Sequence, residues 1–261
     1  MKWMSASLLL ISCSIAQSAS SGPDHAIWDS IVKKYVSAEA RVDYGRLKKE
    51  GIPDLDRYLE GVAAKWPDSM SQNARRAAFI NAYNALTVRW IVTHYPLASI
   101  WRTKQPFTGV RHTVDGRKMS LDGIETWLRN AGDPRVHAVL VCASIGCPPL
   151  RREAYVEQRL DAQMDDNARA WLANPEQNEF SSARRTASVS RIFYWYKGDF
   201  TNNGSSVNAF LAKYAPQYNE FVKQPNAILR FKRYHWGLND TAGIGDNYSH
   251  ASYAIDAARS K

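Results

Sequence analysis

Apolar residues recur at helical spacing through most of the first half of the chain. Trp28, Ile31, Val32 and Tyr35 fall on one face of a segment running from Asp24 to Ser37, with Asp24 placed to cap it. Leu55, Tyr58, Leu59 and Val62 repeat the pattern between Pro53 and Trp66, and Pro67 stops it. The longest helical stretch is Ser71 to Tyr95, opened by a capping serine and closed before Pro96. Alternation then replaces that period. Val110–Val114 and Arg117–Ser120 flank Asp115-Gly116, the sequence of a two-residue hairpin turn. Leu121–Arg129 predicts another short helix, and Val136–Cys142 is an apolar run of strand length. Pro148 and Pro149 introduce a predicted helix over Arg151–Trp171. Further on, Arg191–Phe200 is aromatic-rich, Val207–Tyr214 reads as helix, Ala227–Phe231 as strand, and the tail from 241 to 261 is polar and predicted to be loose. Helices outnumber strands and no linker divides the chain. The expectation is an α+β fold, a mainly helical single domain over residues 24–240 with a small β-sheet.

The first twenty residues do not belong to that domain. Lys2 precedes an uncharged run from Met4 to Ala16, and Ala16-Gln17-Ser18 has small residues at a cleavage spacing, the pattern of a secretory signal peptide over 1–20. Leu10-Ile11-Ser12-Cys13 resembles a lipobox, so soluble export to the periplasm or medium is the first expectation and a lipid anchor at Cys13 the alternative. Contact with a membrane is expected only through such an anchor. No run elsewhere reaches the ~18 apolar residues of a membrane span.

Export changes the meaning of the cysteines. Beyond Cys13 only Cys142 and Cys147 remain, compatible with a disulfide or with one functional thiol. The formal charge of +9, from 34 Lys and Arg against 25 Asp and Glu, suits an anionic neighbour. The basic residues are scattered and accompany no nucleic-acid motif, so nucleic acid is not an expected partner; a peptide, a glycan or an envelope protein is. Zinc-site spacings, a dinucleotide fingerprint and a phosphate loop are missing, and neither metal nor cofactor is expected.

Several motifs resemble one family in order along the chain. They are Ala78-Phe79-Ile80-Asn81-Ala82-Tyr83-Asn84-Ala85-Leu86, Tyr95-Pro96, Ser120-Leu121-Asp122-Gly123-Ile124-Glu125, and Asp133-Pro134-Arg135-Val136-His137 continuing to Cys142-Ala143-Ser144-Ile145-Gly146-Cys147-Pro148-Pro149-Leu150. Trp195-Tyr196 with Asp199-Phe200, and Tyr234-His235-Trp236-Gly237-Leu238-Asn239, complete the set. Together, over roughly Val42 to Asn239, they resemble domain of unknown function 547, here as an exported bacterial member. The resemblance implies no established activity. One departure is His235, where the family usually carries Asp, so a catalytic role there would be private to this chain.

The residues themselves nominate chemistry. Cys147, directly before Pro148-Pro149 and a predicted helix, is expected near a helix N-terminus, where unpaired N–H groups stabilise a thiolate. This makes it the candidate nucleophile of a thiol-dependent hydrolase or acyltransferase, with His137, His112 or His235 as base. The order Cys147, His235, Asn239 is papain-like, although four positions is an unusually short step from His to Asn. Cys142 is its candidate disulfide or redox partner. On a strand, His137 and Cys142 would lie about 16 Å apart on opposite faces. Asn81 and Asn84 share a helix face and are expected to bind loop backbone, hold the 142–147 turn, or contact substrate. Glu125 is a candidate catalytic residue too, although a pair with Arg129 at i, i+4 is expected ahead of a general-acid role. Ser144, Trp195, Asp199, Trp236 and Asn239 complete the candidate binding set. A non-catalytic binding protein held by a Cys142–Cys147 disulfide, or a thiol–disulfide redox protein, is the competing reading.

Overall fold

A computed structural model describes residues 22–222 and 226–248. The expected signal peptide, Cys13 and the tail beyond 248 lie outside the described residues.

The order of elements is α1 (His25–Tyr35), α2 (Tyr44–Glu50), α3 (Ile52–Ala63), α4 (Gln72–His94), β1 (His112–Val114), β2 (Arg117–Met119), α5 (Leu121–Arg129), α6 (Val136–Val139) and α7 (Leu160–Ala173). Then follow β3 (Glu179–Ser181), β4 (Thr186–Val189), α8 (Ile192–Trp195), α9 (Lys197–Thr201), α10 (Val207–Tyr214), α11 (Asn219–Val222) and β5 (Ile228–Phe231). This is the α+β architecture expected: a helical body with sheets of two and three strands.

The centre is α4, the helix whose caps were legible in advance. Ser71 accepts from the Ala74 amide at its start and Tyr95 follows its end. Every residue from Ala77 to Val88 is buried, including Asn81, Asn84 and Thr87, so polar side chains enter the core with the apolar ones. A helix buried all round must find partners on every side, and α1, α2, α3 and α5 pack against it. The alanines at 77, 78, 82 and 85 let those neighbours approach closely.

The β1–β2 hairpin turns through Asp115 (φ 50°) and Gly116 (φ 72°), both left-handed as a tight two-residue turn demands. Asp115 is also fixed from outside: its carboxylate accepts from the Trp66 amide (2.8 Å) and the Arg75 guanidinium (2.7 Å). In the second sheet, β4 lies between antiparallel β3 and parallel β5. The β5 strand matches the expectation at 227–231, whereas β3 and β4 are three and four residues long and gave too little alternation to be read.

Two expected elements are corrected. The run 136–142 is not a strand; Val136–Val139 is one turn of helix, and the chain leaves it extended with no strand beside it. Its backbone is claimed instead by the side chain of Asn84, which donates to the Val139 carbonyl (3.0 Å) and accepts from the Val141 amide (2.9 Å). The helix expected from Arg151 starts only at Leu160, after a 3₁₀ turn over Glu157–Arg159. Across the intervening segment, Asn81 binds the Tyr155 amide (2.9 Å) and carbonyl (2.8 Å), and Gln163 binds the Ala154 carbonyl (2.8 Å) and Val156 amide (2.9 Å). Two side-chain amides thus hold as extended chain what local preference would coil. The residues after Asp240 are not loose as far as Tyr248. The Thr241 amide bonds the Val42 carbonyl, and Arg41 pairs with Asp246 at 2.7 Å.

Candidate active site

The 142–147 loop sits where three clefts meet, and its conformation is set by hydrogen bonds from four directions. Asn84 holds its entrance from α4. The Gln177 side-chain nitrogen donates to the Ile145 (2.8 Å) and Cys147 (2.6 Å) carbonyls from one flank. On the other flank the strand-like segment 235–239 pairs with the loop through Ile145 N–H to Gly237 O (2.8 Å), Gly146 N–H to His235 O (2.9 Å) and Asn239 N–H to Ala143 O (3.1 Å). Asn167 secures the exit by donating to the Pro149 carbonyl (3.0 Å). Ala143 is forced to φ 62°, a strained conformation for a residue with a Cβ. Gly146 has to be glycine for a packing reason: a Cβ there would stand 2.9 Å from the backbone nitrogen of His235.

Cys142 and Cys147 form a disulfide, with a Cα–Cα separation of 6.2 Å. Cys147 is not at a helix N-terminus, because the helix behind it begins thirteen residues later at Leu160. Its sulfur nevertheless has donors. The Cys142 backbone N–H points at Cys147 Sγ (3.0 Å), and the Tyr234 hydroxyl donates to the same sulfur (3.2 Å) while lying 3.2 Å from Cys142 Sγ. In place of the donors of a helix end, the sulfur meets a loop amide and a tyrosine hydroxyl.

Both cysteines line a small cleft of about 30 Å³ together with Glu125, His137, Trp195, Tyr196 and Tyr234. His137 is thus on the same cleft as Cys142, not on the opposite face of a strand, because α6 turns it there. Its Nε2 meets Asp199 Oδ2 at 2.7 Å, and its ring stacks on Tyr196 with centroids 4.2 Å apart. Arg129 grips Asp199 from the far side, Nε to Oδ2 at 2.6 Å and Nη2 to Oδ1 at 3.2 Å. The expected Glu125–Arg129 pair is therefore corrected: the guanidinium swings to Asp199, and Glu125 turns into the cleft, buried. Burial alone would raise the Asp199 carboxyl, but the bonds from His137 and Arg129 outweigh it and hold it well below the usual carboxylate range.

The other candidate residues distribute around this centre. Ser144 and Asn239 line a second cavity of about 80 Å³ on which Cys147 also opens. Asn239 Oδ1 accepts from the Tyr44 hydroxyl at 2.8 Å. His235 lines a third, larger cleft and has both ring nitrogens engaged, Nδ1 by the Gly237 amide and Nε2 by the Asp246 carbonyl, each at 3.1 Å. His112 is on β1, outside the three clefts. Trp236 is buried against Trp101, Trp195 and Tyr234. Asn81, on α4, spends its amide on Tyr155. Sequence reasoning overlooked Tyr234 and Gln177 and gave Arg129 a different partner. Tyr234 stood in a quoted motif and was a findable signal, whereas nothing local marks Gln177.

Reducing the disulfide opens a six-residue loop, for which chain entropy predicts a loss of about 2 kcal/mol. The melting temperature should fall by several degrees in excess dithiothreitol, with intact mass confirming two free thiols. An unchanged melting temperature in the reduced protein would show that the surrounding hydrogen bonds alone define the loop.

Among the described residues no helix is long and apolar enough to cross a membrane. No curated protein and no solved structure matches the chain significantly. The profile of the family described as "Protein of unknown function, DUF547" matches residues 67–172, which takes in α4, α5, the 142–147 loop and all but the last residue of α7, while the motifs at 195–200 and 234–239 lie beyond the match. That segment, which contributes both cysteines, His137 and Glu125 to the cleft, is what the chain shares with the DUF547 family.

Proposed function

We propose that the protein is an exported thiol enzyme, a hydrolase or acyltransferase, with Cys147 as its nucleophile and the Cys142–Cys147 disulfide as its oxidised resting form. The observation that carries this reading is the pair of donors on Cys147 Sγ, the Cys142 amide and the Tyr234 hydroxyl. Hydrogen bonds to a sulfur stabilise it as thiolate and lower its pKa. A disulfide suits the oxidising compartment that the leader-like residues 1–20 point to.

An external dithiol reductant supplies the two electrons that open the bond and is itself oxidised to a disulfide. The Cys147 thiolate then attacks an ester or amide carbonyl. An S–acyl bond forms, the bond to the leaving group breaks, and His137, held by Asp199 and Arg129, passes to that group the proton it took from the Cys147 thiol. Water or an acceptor nucleophile releases the acyl group. His137 on the cleft with an anchored carboxylate behind it fits the base-and-orienter arrangement of thiol nucleophiles.

The test is alkylation of the reduced protein followed by peptide mass mapping across pH. Cys147 should label with iodoacetamide at about pH 6 at least ~10-fold faster than Cys142, an advantage Tyr234→Phe reduces. Reduced wild type, but not Cys147→Ser, should then turn over activated esters or thioesters. Equal labelling of both thiols, rising only near the ordinary ~8.5, would remove the proposal.

A second reading has its own observation. The tight fastening of the loop by Asn84, Gln177 and the 235–239 segment favours a disulfide that serves as a staple in a binding protein. It predicts that the reduced thiols are unreactive while ligand binding is kept.

A further inference from the structure

The two larger clefts beside the loop are neighbours, since Arg41, Ile145, Glu176 and Gln177 line both. The inner part, about 80 Å³, has Cys147 in its wall. Its wall also includes Ser144 and Gln177, whose Oγ and Oε1 are buried and make no hydrogen bond among the described residues. Their residues are only 2% and 8% exposed, so solvation from bulk water is largely denied them. The orientation of Gln177 is fixed, because its nitrogen already donates to two carbonyls and leaves Oε1 as an acceptor with no partner. A hydroxyl donor and an amide-oxygen acceptor belonging to residues of one cavity wall are the complement of an amide group: Ser144 donates to a carbonyl oxygen, and Gln177 accepts from an N–H.

The outer part, about 430 Å³, carries four cationic side chains, Arg41, Arg191, Lys232 and Arg233, against the carboxylates of Glu176 and Asp246. Arg41 is paired with Asp246, and Lys232 donates to the Pro175 and Glu176 carbonyls. Arg191 is different. It makes no ion pair among the described residues, its guanidinium lies over the Tyr194 ring at 4.7 Å, and its Nε is buried with no hydrogen-bond partner. A guanidinium left in that state beside a cleft is a carboxylate site by its chemistry.

We infer that this double cleft binds an acidic peptide, one amide group seated between Ser144 and Gln177 and a carboxylate against Arg191. This gives a ligand class to the thiol-enzyme reading and places a peptide bond beside Cys147, but the binding itself needs no thiol chemistry.

The disulfide form of the protein is titrated calorimetrically with three probes: acetyl-Ala-Glu-Ala as the free acid, acetyl-Ala-Gln-Ala amide, and succinate. The acidic peptide should bind at least ~10-fold more tightly than the neutral one, as a charge-assisted hydrogen bond implies. Arg191→Gln should abolish that difference. Ser144→Ala removes only an unpartnered hydroxyl, should leave the melting temperature unchanged, and should weaken both peptides by about 2–10-fold without affecting succinate. Absence of peptide binding, equal affinity for the two peptides, or succinate binding as tightly as the acidic peptide would each overturn the inference. Because the oxidised protein is used, binding without thiol reactivity would refute the enzyme reading alone, and reactivity without peptide binding would refute this one alone.

Discussion

Acidification from about pH 7.5 to about pH 4.5 is expected to cost the fold several kcal/mol, with most of the loss arising from two histidines. Burial holds the His25 imidazole down to about 4, against a small opposing pull from Asp24. The geometry agrees: Nδ1 of His25 faces the Tyr58 hydroxyl and the Asn81 side-chain nitrogen, both at 3.2 Å. Asn81 Nδ2 can only donate, so Nδ1 must be an acceptor, and protonating it would set N–H against N–H. His112 is likewise held down to about 4, by burial first and by the positive charges of Arg111 and Lys118 second. In the unfolded chain both titrate near 6.5. Below that value the unfolded chain takes up protons that the folded one refuses. The stability contribution is therefore complete above about 6.5 and drains away as the pH falls towards 4. Each site accounts for about 3 kcal/mol at the end of that window. Urea denaturation at intervals across the range measures it, and His25→Gln and His112→Gln should each remove their own share of the slope. A flat profile down to about pH 5 would show that neither ring is kept neutral. Carboxylates such as Asp133, held down to about 2 when the bonds from Arg135 and Arg76 outweigh its burial, contribute only at lower pH and do not blur the result.

Asn84→Ala should destabilise the protein by about 2–5 kcal/mol, a large part of the ~5–15 kcal/mol that a domain commands. Truncation strands the Val139 carbonyl and the Val141 amide in the core, where each unpaired group costs about 1–3 kcal/mol. Alanine gives back only a fraction through its better helix propensity. The effect should be local as well as global. Hydrogen exchange at the Val141 amide should accelerate more than exchange in α1, because this amide immediately precedes Cys142 and fixes the start of the loop. Asn84→Asp keeps the acceptor for Val141; protonated, its hydroxyl can also donate to Val139 and the loss should be smaller than in the alanine variant, whereas ionised it has no donor for Val139 and the loss should be greater. A change of less than about 0.5 kcal/mol in the alanine variant would mean that the loop finds other partners and that Asn84 does not position the site.

The elements that the chain itself determined are those whose signals are local. Ser71 and Pro96 bounded α4 because a cap and a proline act within one turn. Ser120 began α5 for the same reason, and Asp115-Gly116 dictated its hairpin because two consecutive left-handed residues close two strands tightly. The helical majority, the β1–β2 hairpin and β5 followed from periodicity and turn residues, whereas β3 and β4 did not. What tertiary structure decided is wherever a side chain from elsewhere took over backbone bonding. Val136–Cys142 has the composition of a strand, but Asn84 occupies the groups a neighbouring strand would use. Arg151–Val156 has helical residues, but Asn81 and Gln163 pin it extended. The site shows the same division. Cys142, Cys147, His137 and Glu125 could be nominated from sequence, being polar or reactive groups set in apolar segments. Their grouping could not be, because it depends on α6 turning His137 inward, on Arg129 choosing Asp199 seventy residues away over Glu125 one turn back, and on Tyr234 reaching both sulfurs from the far end of the domain. Hydrogen bonds between distant segments carry no periodicity, so only the folded chain reveals them.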